Sequence, residues 1–258
     1  MIKFFRKIRQ NLLMENKTGK YFKYAIGEIV LVVIGILIAL QINTWSKTAE
    51  QTKNNKIYLN KIIEELKLNV ERLDYLAYSG LGGTIAIDIA VKNSDSILKL
   101  ALRGFKESDL DFIVNTNMYS GGSQLNLFDA TYEELLNTGK LYTLGSDEVI
   151  LAIKNYYKRY EREIEYNRRW TDFTLQGINL MGTSLNTLKL EYSANPKTFD
   201  LENYPWYFKP YSEKCLEIKR GLEMMRNGQY HDLRKCNELK EESKQLIVFL
   251  DKELHKYQ

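Results

Sequence analysis

Any chemistry in this 258-residue chain would have to be built from two histidines, His231 and His255, two cysteines, Cys215 and Cys236, and scattered acids. Zinc sites draw on sets of His and Cys at short spacing, and neither an H-E-x-x-H nor a paired E-x-x-H helix pattern occurs. His255 follows Asp251 by four residues on a helical face, and with Lys252 and Glu253 beside it the pair reads as solvated rather than metal-binding. Asp109-x-Asp111 lacks the further Asp, Gly and Glu positions of a calcium loop and reads as a helix start or a loop. The Gly-Lys steps at Gly19-Lys20 and Gly139-Lys140 have neither the upstream glycine nor the following Ser or Thr of a phosphate loop, and read as a juxtamembrane break and a helix C-cap. Ser79 and Ser123 stand near glycines without completing G-x-S-x-G. Cys236 lies five residues after His231, but a nucleophile needs a base beside it in space, and spacing alone locates none. The chain is therefore expected to be no enzyme, with no catalytic residues, no cofactor and no metal.

The two cysteines are too few for a disulfide framework. If they flank one helical hairpin turning near Gly228 to Tyr230, their axial offset is roughly 10 Å at 1.5 Å rise per residue, beyond the ~4.4–6.8 Å Cα separation of a disulfide. Two buried thiols are favoured over a bridge.

Charge divides unevenly along the chain. Residues 1–43 hold seven basic groups (Lys3, Arg6, Lys7, Arg9, Lys17, Lys20, Lys23) against Glu15 and Glu28, leaving 30 basic and 31 acidic residues for the remainder. A near-neutral remainder has no basic footprint, so nucleic acid is set aside as a partner. Between the charged groups, Ile29 to Leu40 are apolar or Gly throughout, ten of the twelve being Ile, Leu or Val. Their insertion free energies sum to roughly −3 to −6 kcal/mol. Glu28 at the end of the run reaches headgroups at less than the ~2.5–3.5 kcal/mol of a central charge, so insertion wins.

Residues 24–43 are thus expected to form a transmembrane helix, bracketed by the interfacial aromatics Tyr24 and Trp45. The excess of Lys and Arg before it places residues 1–23 in the cytoplasm as a basic tail and residues 44–258 outside. No convincing small-x-small cleavage site follows, Thr44-Trp45-Ser46 being a poor one, which favours an uncleaved anchor over a signal peptide. No cysteine follows where a lipoprotein would need it. In the tail, Ile2, Phe5, Ile8 and Leu12 at helical spacing among basic residues fit either a helix on the anionic inner leaflet or a plain topogenic region. A tail this short leaves no room for a cytoplasmic kinase, cyclase or DNA-binding module. Glu28 ahead of an apolar run resembles the start of a type IV pilin, but Lys23 stands where pilin processing needs Gly.

The outer region reads as all-α, a helical bundle following the one transmembrane helix. Leu59, Ile62, Ile63, Leu66, Val70, Leu73 and Leu76 form an amphipathic stripe, near-continuous with the membrane helix and broken at Gly80, Gly82 and Gly83. A second helix is expected within Thr84 to Leu102, with a strand-like alternation at Ile85, Ile87 and Ile89, and Asn115 to Ala130 as loop. Thr131-Tyr-Glu-Glu134 reads as a capping box opening a short helix that Gly139 closes. Ser146 caps a long helix whose stripe runs Val149, Ile153, Tyr156, Tyr160, Ile164, Asn167, Trp170, Thr174 and Ile178 up to Gly182. Two more helices are expected, Ser212 to Asn227 and Asp232 to Lys256.

Pro196, Pro205 and Pro210 fall in one structured connector. Its rings Phe199, Tyr204, Trp206, Tyr207, Phe208 and Tyr211 suit either a partner contact or the closing core of the bundle. Gly27, Gly35 and Ala39 share one face of the membrane helix, either a homodimer contact or the ordinary small residues of such helices.

Tyr24 to Trp45, with its Ile-Gly-Glu-Ile start and Ile-Gly-Ile-Leu-Ile-Ala-Leu-Gln-Ile-Asn continuation, together with Thr131-Tyr-Glu-Glu-Leu-Leu-Asn-Thr-Gly-Lys-Leu and Tyr156-Tyr157, resembles an uncharacterised family of single-pass membrane proteins common in Bacteroidota. The resemblance spans most of the chain and implies an inner-membrane protein with a helical periplasmic region. It brings no activity with it. The expected role is an anchored interaction or scaffold module of the cell envelope, with membrane lipid and an unidentified envelope protein as partners. The alternative is a periplasmic sensory or ligand-binding bundle acting through a membrane partner.

Overall fold

A computed structural model of the chain describes residues 18–80, 84–120 and 125–256. Expectations for residues 1–17 of the basic tail, for Gly82 and Gly83, for Ser123 and for the Tyr24 side chain lie outside what is described, whereas Gly19-Lys20, expected as a juxtamembrane break, lies inside a helix that begins at Thr18. Among the described residues there is no strand, and seven α-helices follow one another: α1 Thr18–Tyr78, α2 Ile87–Arg103, α3 Leu110–Asn115, α4 Ala130–Asn137, α5 Asp147–Leu180, α6 Leu185–Ala194 and α7 Glu213–His255. The chain divides into two compact units at Lys56 and Ile57.

The first unit is the leading part of α1. Ile29 to Leu40 are exposed at every position, in the one helix among the described residues that is long and apolar enough to cross a membrane. Helices of soluble domains bury an apolar stripe, and a helix apolar all round needs an apolar surrounding.

In the second unit, α5 and α7 form an antiparallel spine. On α5 the inward positions Val149, Ile153, Tyr156, Tyr160, Glu163, Asn167, Trp170, Thr174, Gly177 and Met181 repeat at alternating spacings of four and three. On α7, Cys215, Ile218, Leu222, Met225, Gln229, Asp232, Cys236, Leu239, Ser243, Leu246 and Leu250 keep the same alternation. This is the seam spacing of packed long helices. Two clusters flank the spine. One gathers α1 from Tyr58 to Ala77, α4, and the Val149–Tyr160 and Cys236–Leu250 ends of α5 and α7. The other gathers α2, Phe105, Ile113, Met118, α6, the connector rings and Ile218, Leu222 and Met225 of α7.

Two expectations are corrected. The pair of C-terminal helices is one helix of 43 residues, with Gly228 inside it. Glycine here serves close approach rather than a turn: a Cβ at Gly228 would strike Thr174 and Trp170 O, and a Cβ on Gly177 would sit 2.5 Å from Gly221 O. The seam continues through Gly228 without a skip, which is the sequence signal for one helix. The second correction concerns α4. Its N-cap is Asp129, which makes no side-chain cap hydrogen bond, and Thr131 lies inside the helix. Its boundaries otherwise follow expectation, with Gly139 just beyond the end at φ 71°. The strand-like Ile87 and Ile89 are helical, in α2.

Candidate functional site

The residues of the Thr131–Lys140 motif converge on α1. Glu65 supplies the missing cap: the Thr131 N–H donates to its Oε2 at 2.7 Å, and the Tyr157 hydroxyl donates to its Oε1 at 2.5 Å. An orphan N–H in the first turn of α4 is thereby satisfied by a carboxylate from another helix, where the helix dipole favours negative charge. Tyr132 stacks on Tyr157 at 4.2 Å between ring centroids. Burial, then the Glu65 carboxylate, pushes the Tyr157 hydroxyl far above the ordinary tyrosine range. Tyr58 donates to Glu134 Oε1 at 2.7 Å and accepts from Lys140 Nζ at 2.7 Å, with Lys61 Nζ 3.4 Å from Glu134. Asn69 clasps the loop through both backbone groups of Phe128, and Tyr160 accepts from the Leu127 N–H.

The stripe expected on α1 omitted Glu65 and Asn69 because both are polar. They nevertheless fall in register with Tyr58, Ile62, Leu73 and Leu76 at spacings of three and four, and both are buried. Helical spacing counted without regard to polarity would have found them. Within the motif the Thr131 N–H, Glu134 and Lys140 are engaged with α1, so the arrangement anchors the short helix and its loop.

The connector separates the six rings proposed for partner contact. Tyr204, Trp206 and Tyr207 are buried in the second core and Phe199 is partly buried against it, whereas Phe208 and Tyr211 are exposed, the latter at 85%. Tyr207 is 0% exposed, stacks on Phe105 at 5.1 Å and donates to Lys106 O at 3.0 Å. Tyr204 donates to Glu191, and burial together with that carboxylate pushes its hydroxyl up to about 12. For these three rings the closing-core reading holds, and contact area remains at Phe208 and Tyr211.

Gly27, Gly35 and Ala39 are exposed, and a Cβ on either glycine would meet nothing within 4 Å. Asp109 ends a short 3-10 turn and accepts from the Lys106 N–H, a helix start as expected. Cys215 and Cys236 are both buried free thiols. Among the described residues no group of His, Cys, Asp and Glu is placed to hold a metal ion.

No curated protein and no solved structure matches the chain. The profile of one family does, over residues 28–201. That stretch takes in the exposed apolar run, Glu65, the Thr131–Lys140 motif and Tyr157, and it ends before α7. Covering more than half of the sequence, the match makes the chain a member of the Family of unknown function (DUF6090).

Proposed function

We propose that this protein is an anchored interaction or scaffold module of the cell envelope. Residues 24–43 cross the inner membrane once, residues 1–23 stay in the cytoplasm, and the helical domain lies in the periplasm. One observation carries the reading: twelve consecutive apolar or Gly positions, Ile29 to Leu40, have no protein cover, while the stripes of the other long helices are buried. The flanking excess of Lys and Arg orients it. A non-catalytic role fits the use made of the Thr131–Lys140 motif, in which the Thr131 N–H, the Tyr132 ring, Glu134 and Lys140 go into anchoring α4 and its loop. Contact surfaces in this reading are Phe208 and Tyr211 toward an envelope protein, and the face of Gly27, Gly35 and Ala39 toward a second copy.

The test has two readouts on the full chain. A periplasm-active reporter fused after Gln258 is expected to work and a cytoplasm-active one to fail; the reverse result refutes the topology. Crosslinking in native membranes followed by affinity purification is expected to capture a second copy or a discrete envelope protein. Capture must weaken with Phe208→Ala and Tyr211→Ala, or with Gly35→Leu for the copy. Recovery of uncrosslinked monomer alone refutes the interaction role.

A further inference from the structure

The seam between α5 and α7 changes character midway. Above and below, the hydroxyls of Thr174 and Ser243 and the tyrosines aside, it is apolar, but at its centre the inward positions are Glu163 and Asn167 on α5 and Gln229 and Asp232 on α7. Glu163 is only 2% exposed, and its Oε2 has no hydrogen-bond partner. Three cations surround it without hydrogen bonding: Lys235 Nζ at 3.2 Å, and Arg159 and Arg162 at 3.6 Å. A buried carboxylate in a helix seam is costly unless something is gained by it. Where local rules fail in an otherwise consistent fold, function is the first explanation to test.

Beside this stretch lies a cavity of about 440 Å³ lined by Arg162, Glu163, Tyr166, Trp170, His231, Arg234 and Lys235. Its lining holds three permanent cations against one carboxylate. Including the neighbours, Arg159 is matched by Glu238 and Glu242 and Lys235 also meets Glu238, so the ion-paired cluster keeps one positive charge, against which Asp232 in the adjoining seam, its carboxyl pushed up to about 7 by burial, sets a partial negative one. The two guanidinium groups are loosely held. Arg162, 61% exposed, has Glu163 at 3.6 Å, and Arg234, 47% exposed, has Glu238 at 3.7 Å and donates to His231 Nδ1 at 3.2 Å. That acceptor role puts the ring proton on Nε2. His231 stacks on Trp170 at 3.7 Å, and desolvation, with Arg234 and Lys235 nearby, holds its pKa below the ordinary histidine value. A neutral imidazole therefore completes one wall.

We propose that this cavity is a binding site for a phosphate group carried on a small apolar body. Arg162 and Arg234 present planar forks that match phosphate oxygens, and Lys235 adds a point charge behind them. Tyr166 and Trp170 offer ring surface to the attached body. Glu163 holds the cations in place, and the incoming phosphate anion offsets the positive excess of the lining. The phosphate can come from a soluble organic phosphate or from a lipid headgroup, since the recognising chemistry is the same.

The test uses the full chain in a phosphate-free glycosidic detergent, with phenyl phosphate as the probe in equilibrium dialysis. Saturable binding near one per chain is expected. Arg162→Ala with Arg234→Ala is expected to weaken it at least tenfold, while Arg168→Ala with Arg169→Ala, on exposed arginines already paired with Glu165, leaves it within twofold. Arg162→Ala alone must also weaken binding measurably, which keeps the test decisive if the double variant misfolds. Short-chain phosphatidylglycerol in competition assigns the source: displacement at lower concentration than phenyl phosphate favours a headgroup, and weaker displacement favours a soluble ligand. Absence of binding for both probes, or equal binding by wild type and Arg162→Ala, overturns the proposal.

Discussion

The two cores of the helical domain share the α5–α7 spine yet are closed by different means. Near α1 the closing groups are polar and charged: Glu65 and Asn69 accept from the Thr131 and Phe128 N–H groups, and Tyr58 donates to the Glu134 carboxylate. At the connector the closing groups are rings, Tyr204, Trp206 and Tyr207 packed edge and face against one another and against Phe105. A hydrogen-bonded closure fixes where the chain goes, because a buried donor or acceptor left unpaired costs about 1–3 kcal/mol. A ring closure contributes mainly area, about 25 cal/mol per Å² removed from water, and tolerates sliding of the pieces it joins. Both cores are apolar inside; the first is closed over its apolar groups by polar hooks, and the second by rings of which Tyr204 and Tyr207 also hydrogen-bond, to Glu191 and to Lys106 O.

Removing bulk is expected to have the larger effect. Tyr207→Ala deletes a fully buried ring and its bond to Lys106 O, at about 3–5 kcal/mol, while Tyr211→Ala, four residues on and exposed, stays within about 0.5 kcal/mol. Urea unfolding of the full chain in neutral detergent, followed by circular dichroism, measures both. Similar losses for the two would show that the connector is not divided into core and surface.

Removing a polar hook is expected to cost less but to be more local. Tyr157→Phe keeps the stack on Tyr132 and takes one donor from a buried carboxylate, about 1.5–3 kcal/mol. Tyr156→Phe gives up a neutral hydroxyl pair with Ser243, 2.8 Å apart, and a neutral contact with the Asn69 side chain, about 1 kcal/mol each, and leaves the Glu65 carboxylate fully bonded. Hydrogen exchange at α4 distinguishes the two, since Glu65 links Tyr157 to the first turn of that helix. Faster exchange there is expected in Tyr157→Phe and not in Tyr156→Phe. Equal effects would mean that the Glu65 link carries no positional role.

The difference between the cores also explains which parts were legible in the sequence. The stripes of α1 and α5, the Ser146 cap, the Gly139 stop and the apolar run at Ile29 to Leu40 are local patterns, and each is where the spacing puts it. Glu65 and Asn69 escaped because their partners, Thr131, Tyr157 and Phe128, lie 59 to 92 residues away and a polar residue in a stripe looks like a gap. Thr131 looked like a cap for the same reason: nothing local announces that a carboxylate from α1 will serve its N–H. Glu163 was passed over in favour of Ile164 on hydrophobicity alone. Gly228 was read by its conformational freedom, although its use here is the missing side chain that lets α7 approach Thr174 and the Trp170 carbonyl.

The smallest expected effect is none at all, and it tests the continuity of α7 on which both cores depend. Cys215 and Cys236 are separated by 21 residues of one helix, about 31 Å along its axis at 1.5 Å per residue. A disulfide needs Cα atoms within about 7 Å, so no intramolecular bridge can form while α7 is straight. Burial pushes both thiols above the ordinary range, Cys236 up to about 12, so little thiolate is present to attack an oxidant near neutral pH. Treatment of the folded chain with a mild oxidant is therefore expected to leave its gel mobility and its unfolding midpoint unchanged. Two thiols per chain should react with Ellman's reagent only after unfolding. A hairpin near Gly228 would lower the axial offset to roughly 10 Å, so a bridge would demand that α7 be broken there and its two arms slide past one another by several residues. A faster-migrating species on a non-reducing gel, restored by reductant, would break the single-helix spine that both cores share.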